Sequence, residues 1–309
     1  MIDLHIHTTA SDGTYSPQQI VDEARQIGLE AISITDHDTL EGYDEARPAA
    51  DQSGLTLICG IELSTKMIQL NGRPKTVHLL GYFFKEPSAE FRDWLLTQQR
   101  VRHERNVALA EKLQSLDVQV TIEEVRALGR SMAGRPHFAR LMMEKGYVQS
   151  IQEAFDLYLD EKGKAYVEKH DPTLPEGIRH VRASGGIPSL AHPVRLNKFG
   201  SQEEDLIRQM AKMGLQAIEA YHSDHTEKHQ ERYQALARRY DLVVTGGSDF
   251  HGDNKPGVKL GTGRNNNVAV PAKVIERMKN GPSTAAQRPR TFSRTPGDRP
   301  PYRGHRGVR

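Results

Sequence analysis

Short apolar runs alternate with amphipathic helical stretches along most of this 309-residue chain, and the runs end on or near a histidine, aspartate or glutamate. Strands alternating with helices imply a parallel sheet. A barrel of parallel strands brings its strand ends to one rim, where residues far apart in sequence share a site. Ile2, Leu4 and Ile6 face one way from the first predicted strand, and Asp3, His5 and His7 face the other. A helix follows, with Ser16 as its N-cap, Pro17 as its first residue and Gly28 as its stop. Ala31–Thr35 reads as a second strand ending at Asp36-His37-Asp38. Leu55–Ile58 reads as a third that reaches Glu62 past Gly60, and Thr76–Phe84 as a fourth that carries His78. Three more follow: Gly186–Leu190 before His192, Leu215–Tyr221 before His222, and Leu242–Thr245 before Asp249 and His251. Seven strands result.

The rhythm breaks between about residues 86 and 165, where only helical spacing is found. Leu95, Val101, Leu109 and Leu113 mark one helix, and Leu141–Leu159 another. Thr121 with Glu124, and later Ser201 with Glu204, read as capping boxes. The expected organisation is therefore an α/β barrel over residues 1–85 and 166–280, a helical insertion over 86–165, and a tail over 281–309. That tail holds seven arginines and one acid, so its charge of +6 leaves −4 for residues 1–280. Its Pro, Gly, Ser and Arg content predicts disorder. No run approaches the roughly 18 apolar residues of a membrane helix. The first strand begins at Ile2, which leaves no room for a leader peptide. With Cys59 as its only cysteine, the chain forms no internal disulfide and no thiolate metal site. A cytoplasmic enzyme without an obligate protein partner is the expectation.

Nine oxygen and nitrogen donors fall at or just past predicted strand ends: His5, His7, Asp12, His37, Glu62, His78, His192, Asp249 and His251. Each alone has an ordinary explanation. Asp12 in Ser11-Asp12-Gly13 is a turn former, His37 a helix cap, and the other histidines structural. Placement of all nine at strand ends has no such explanation. Nine donors exceed what one ion of four to six ligands uses, so two or three ions are implied, with Glu62 as a bridging carboxylate. Imidazole and carboxylate without sulfur suit manganese foremost, with iron or zinc as alternatives. Such a centre activates water and stabilises attacking and leaving oxygens, which matches phosphate ester hydrolysis. His225 and His229, at i and i+4, read as a solvated helix face.

His5-Ile6-His7, Ser11-Asp12-Gly13, Thr35-Asp36-His37-Asp38, Gly60-Ile61-Glu62, His78, Ala191-His192-Pro193 and Ser248-Asp249-Phe250-His251 together resemble the motif set of the PHP (polymerase and histidinol phosphatase) family. The resemblance implies a distorted seven-stranded β/α barrel with a trinuclear metal site built from these nine residues. The segment Gly134-Arg135-Pro136-His137-Phe138-Ala139-Arg140 is similar to the branch of 3′,5′-nucleoside bisphosphate phosphatases and 5′-to-3′ exoribonucleases. That similarity implies that Arg135 and His137 lie near a substrate phosphate. The alternative reading is a helix N-terminus with Pro136 in its first turn, and both can hold together, since helix N-termini bind anions. His222 is expected either behind the metal ligands, supporting one of them, or as a contact to the leaving group. The implied substrate is a nucleotide or a 5′-phosphorylated RNA. A small-metabolite phosphatase, such as one for histidinol phosphate, is the enzymatic alternative, and a PHP domain kept as a structural module is the non-enzymatic one. The family has no counterpart of the arginine-rich tail.

Overall fold

The computed structural model of the chain describes residues 1–68, 74–129, 133–168, 170–198 and 200–280. The tail 281–309, with its expected disorder, lies outside the described residues. Seven strands form one sheet in chain order: β1 (Ile2–Ile6), β2 (Ala31–Ile34), β3 (Thr56–Ile68), β4 (Pro74–Phe83), β5 (Ile187–Leu190), β6 (Ala217–Tyr221) and β7 (Val243–Gly246). Beyond β7 the chain returns to β1. Asp249 N–H donates to His5 O at 2.8 Å and His7 N–H to Phe250 O at 2.9 Å, which curls the sheet toward a distorted barrel. A separate two-stranded ribbon, β8 (Val258–Lys259) with β9 (Gly263–Arg264), follows.

The expected all-parallel sheet is corrected at its centre. β1, β2 and β3 are parallel, as are β5, β6 and β7, but β4 runs antiparallel to both neighbours. The reason is local. β3 does not stop near Ile58; it continues to Ile68 and pairs with β4 from Cys59 opposite Phe83 to Ile68 opposite Pro74. Only positions 69–73 lie between these two strands, and antiparallel pairing needs no crossover, whereas a parallel return does.

Helices α1 (Pro17–Gln26), α2 (Glu41–Ser53), α7 (Leu174–Ala183), α8 (Ser201–Met213), α9 (Glu227–Tyr240) and α10 (Lys273–Asn280) belong to the barrel. Ser16 caps α1 with Gln19 answering it, as the sequence predicts for the N-cap. The expected cap at Ser201 is not found. The chain enters α8 at Gly200, with φ 60°, so Ser201 is already the first helical residue.

Among the described residues the stretch 86–165 holds helices and no strand: α3 (Ala89–Gln114), α4 (Ile122–Gly129), α5 (Arg135–Glu144) and α6 (Ile151–Ala154), with a π turn over Phe155–Leu159. The helix expected over 141–159 is interrupted, because Gly146 at φ 77° ends α5. Thr121 and Glu124 make their capping box, Glu124 N–H to Thr121 Oγ1 at 3.2 Å and Thr121 N–H to Glu124 Oε2 at 2.9 Å. This region buries its own core around Leu113, Val125, Phe138 and Met142. α3 joins the two parts: Phe91 and Leu95 pack into the barrel core, and Leu109 and Leu113 into the helical one.

Candidate metal centre

The donors converge on one rim of the sheet, most of them at or past strand ends; Glu62 and His78, expected there too, lie inside β3 and β4. Glu62, at the middle of β3, pairs beside His37 in a parallel bridge that prolongs β2–β3 pairing beyond β2. Asp38 N–H donates to Glu62 O at 3.0 Å and Glu62 N–H to Asp36 O at 3.2 Å. The loop carrying Asp12 folds back over the end of β1, where a Cβ at Gly13 would stand 2.4 Å from His7 O. Asp36 ties that loop down. It accepts from Thr8 N–H at 2.7 Å, Thr8 Oγ1 at 2.7 Å and Ser11 Oγ at 2.6 Å. At Gly247 a Cβ would lie 2.3 Å from His5 N, so only glycine lets the strand after β7 approach β1. His192 and Asp249 hold positive φ angles of 27° and 58°, conformations that side-chain-bearing residues adopt at a cost.

Five imidazoles surround the two oxygens of Glu62. His192 Nε2 and His78 Nδ1 lie 2.8 and 3.0 Å from Oε1. His7 Nε2, His5 Nε2 and His37 Nδ1 lie 3.1, 3.4 and 3.4 Å from Oε2. Asp249 Oδ1 stands 3.4–3.5 Å from the same nitrogens of His7 and His5 and from His251 Nδ1. Asp12 stands 3.3 Å from His7, 3.4 Å from His251 and 3.8 Å from His37. Four overlapping groups have donor atoms within 4.8 Å of one another: His7, Asp12, His37 and His251; His5, His222 and Asp249; His5, His7 and Glu62; His37, Glu62 and His78.

This donor set fits divalent cations. The ring nitrogens His5 Nε2 and His7 Nε2 face each other at 3.2 Å. His7 Nδ1 and His37 Nδ1 are buried without a hydrogen-bond partner, which buried polar atoms rarely are. Burial pushes the His37 and His192 imidazoles down to about 4 and about 3, so both are neutral, the form that ligates metal. Burial opposes ionisation of Glu62 and Asp249 too. The surrounding histidines outweigh it and hold both carboxyls well below the usual range. At His7 burial is likewise outweighed, and Asp12 and Glu62 raise the imidazole to about 9.

A cleft of about 1190 Å³ opens above this cluster. Asp12, His37, His78 and His251 line one part of it; Arg102, Arg105, Arg135, His137 and Arg140 line another, with Lys255 also in its wall. Arg135, first residue of α5, reaches Leu159 O at 3.3 Å and Asp160 Oδ1 at 3.4 Å. His137 Nδ1 accepts from Gly134 N–H at 3.1 Å, capping the same helix. Burial pushes the Arg105 guanidinium down to about 10, and the neighbouring charges of Arg135 and Arg102 add to that.

All nine sequence-predicted donors thus meet in space, and Arg135 and His137 open onto the same cleft. Of the two places expected for His222, its position agrees with the one behind a metal ligand and not with a leaving-group contact. It is fully buried, with Nε2 3.1 Å from Asp249 Oδ2, and it does not line the cleft. His225 is not on a solvated face. It is buried, with Nδ1 2.8 Å from Ala220 O, because it precedes α9 instead of lying on it.

The sequence reading passed over Glu219, Arg195, Lys255, Arg102 and Arg105. Glu219 had a usable signal, a lone acid inside the apolar strand Ala217-Ile218-Glu219-Ala220, since full burial of a carboxylate demands a partner. Arg195 and Lys255 both reach Asp249 Oδ2, at 2.9 and 2.6 Å. Nothing in their sequence surroundings announces this.

A family model, the PHP domain, matches residues 3–168, more than half of the chain. The chain belongs to the PHP family. A 5′-3′ exoribonuclease of Haemophilus influenzae is 32% identical over 249 residues, covering 81% of this chain and 89% of that protein. A phosphoribosyl 1,2-cyclic phosphate 1,2-diphosphodiesterase of Eggerthella lenta is 31% identical, covering 81% and 94%. A 3′,5′-nucleoside bisphosphate phosphatase of Chromobacterium violaceum is 28% identical, covering 84% and 90%. Among solved structures, one from Bifidobacterium adolescentis, described as a candidate metal-dependent phosphoesterase, superposes with a TM-score of 0.73. It is 30% identical and covers 90% of this chain and 94% of its own. The PHP chain is accordingly a hydrolase of phosphate esters, as its donor set led us to expect. Among the described residues no helix is long and apolar enough to cross a membrane.

Proposed function

We propose that this PHP enzyme hydrolyses phosphate esters of nucleotides, taking 3′,5′-nucleoside bisphosphates and RNA bearing a 5′ phosphate. The observation that carries this reading is the single cleft lined at one part by metal-type donors and at another by guanidinium groups. A substrate with two phosphates spans such a cleft, one phosphate at each part. Its relatives from Haemophilus influenzae and Chromobacterium violaceum act on RNA and on nucleoside bisphosphates.

His5, His7, Glu62, His192 and Asp249 form the buried floor of the centre, and Asp12, His37, His78 and His251, which line the cleft, its rim. Two or three divalent ions, manganese foremost and iron or zinc as alternatives, supply an activated water and neutralise charge on the phosphoryl oxygens when bound. The two oxygens of Glu62 face different histidines, which suits a bridging carboxylate. Arg135 and His137 hold the phosphate that is not cleaved. Burial pushes the His137 imidazole down, so it is neutral. Because Nδ1 accepts from Gly134, Nε2 carries the proton and donates. The lone buried Cys59 suits the reducing cytoplasm.

The test is a substrate panel on manganese-loaded protein: 3′,5′-bisphosphoadenosine, AMP, a 5′-monophosphorylated RNA oligomer, histidinol phosphate and phosphoribosyl 1,2-cyclic phosphate. The bisphosphate and the RNA are expected to have the highest kcat/KM. A preference for histidinol phosphate or for the cyclic phosphate overturns the nucleotide assignment.

A further inference from the structure

We infer that Glu219 is a positioning residue of the metal centre, one carboxylate that sets the donor geometry of two histidines, His5 on β1 and His192 in the turn after β5. The inference rests on the metal-dependent reading above, and nothing in that reading requires it.

Glu219 lies on β6, fully buried, and does not line the cleft. Its Oε1 stands 2.9 Å from His5 Nδ1. Across the same ring, His5 Nε2 faces Glu62 Oε2 at 3.4 Å and Asp249 Oδ1 at 3.5 Å. A histidine ligates a cation through one ring nitrogen while the other donates its proton to an acceptor, and that acceptor fixes both tautomer and ring orientation. Glu219 fills that role for His5: it holds the proton on Nδ1 and turns the Nε2 lone pair into the cluster. Its second oxygen is also committed. Oε2 accepts the backbone N–H of His192 at 2.6 Å. His192 is the residue with φ 27°, and its Nε2 lies 2.8 Å from Glu62 Oε1. The same carboxylate therefore secures the turn that aims His192 and the ring that aims His5.

Glu219→Gln separates this role from simple filling of space. The amide keeps the shape but offers one acceptor and one donor. If its oxygen serves His5, its NH2 group opposes the His192 N–H. If its oxygen serves His192, its NH2 group requires His5 to carry the proton on Nε2, pointing at Glu62 and Asp249. Either way one donor is misdirected.

The experiment titrates metal-stripped full-length protein with manganese(II) alone and counts bound metal by equilibrium dialysis, with circular dichroism as a check on folding. Wild type binds manganese. Glu219→Gln keeps the wild-type spectrum and binds at least one ion about 10–100-fold more weakly, the usual loss when a ligand-orienting carboxylate is removed. A folded Glu219→Gln with wild-type manganese affinity overturns the inference and leaves the metal reading intact; a wild type that binds no manganese overturns both. Should the variant not fold, the proton on His5 decides. In zinc-loaded, 15N-histidine wild type it is expected on Nδ1, and a His5 carrying it on Nε2 overturns the assignment.

Discussion

Five imidazoles meet the two oxygens of one carboxylate, and that residue concentrates the chemistry. Removing Glu62 takes away a group that, alone among the described residues, touches His5, His7, His37, His78 and His192 together. Metal-based stabilisation of a phosphoryl transition state is worth several kcal/mol, and each ~1.4 kcal/mol is tenfold in rate. Glu62→Ala is therefore expected to lower kcat/KM by at least about a thousandfold, with manganese content falling in parallel; near-normal turnover would remove Glu62 from the centre. On the proposed reading Arg135 acts at a distance from the reacting phosphate. A lost charge-assisted hydrogen bond costs about 1.5–3 kcal/mol, so Arg135→Ala is expected to lose roughly ten- to a hundredfold in kcat/KM on 3′,5′-bisphosphoadenosine and much less on AMP. Equal losses on both would mean that Arg135 contacts the reacting phosphate or supports the fold. At this scale the donors were legible because histidine and carboxylate recur at strand ends. Arg102 and Arg105 were not, since two cations one turn apart on a charge-rich helix read as a solvated face. Only the packing of α3 against the cleft distinguishes them.

The elements divide into those whose periodicity is local and those set by pairing. α1 and the Thr121 cap follow from residues adjacent in sequence, and they lie where the pattern puts them. The reversal of β4 was hidden because strand direction depends on the connection, and β3 looked finished at Ile58. In fact Leu63, Thr65 and Met67 continue its buried face. The helical region 86–165 has its own core, so a change there is expected to act on the phosphate-binding wall and not on the metal floor. Phe138, fully buried beside Met142, is the sharpest probe. Phe138→Ala is expected to cost about 3–5 kcal/mol in denaturant unfolding of this region and to raise KM for the bisphosphate. Metal stoichiometry should stay at the wild-type value, and loss of metal in this variant would show that the two parts do not act separately.

At the scale of the molecule, a barrel curled by bonds from Asp249 and Phe250 back to β1 gathers donors that are 246 positions apart in sequence, from His5 to His251. The arginine-rich stretch 281–309 follows the last of them. Truncation after Asn280 is expected to leave turnover of 3′,5′-bisphosphoadenosine unchanged. If those arginines contact RNA, the same truncation weakens RNA binding and flattens its salt dependence; identical affinity and slope would deny them that role. The central claim is that the rim of this barrel is a multinuclear metal centre. Its most direct test is elemental analysis of manganese-reconstituted, exhaustively dialysed protein. Two or three ions per chain, removed by chelation together with phosphoesterase turnover, is the predicted result, and a maximum of one ion per chain would contradict it.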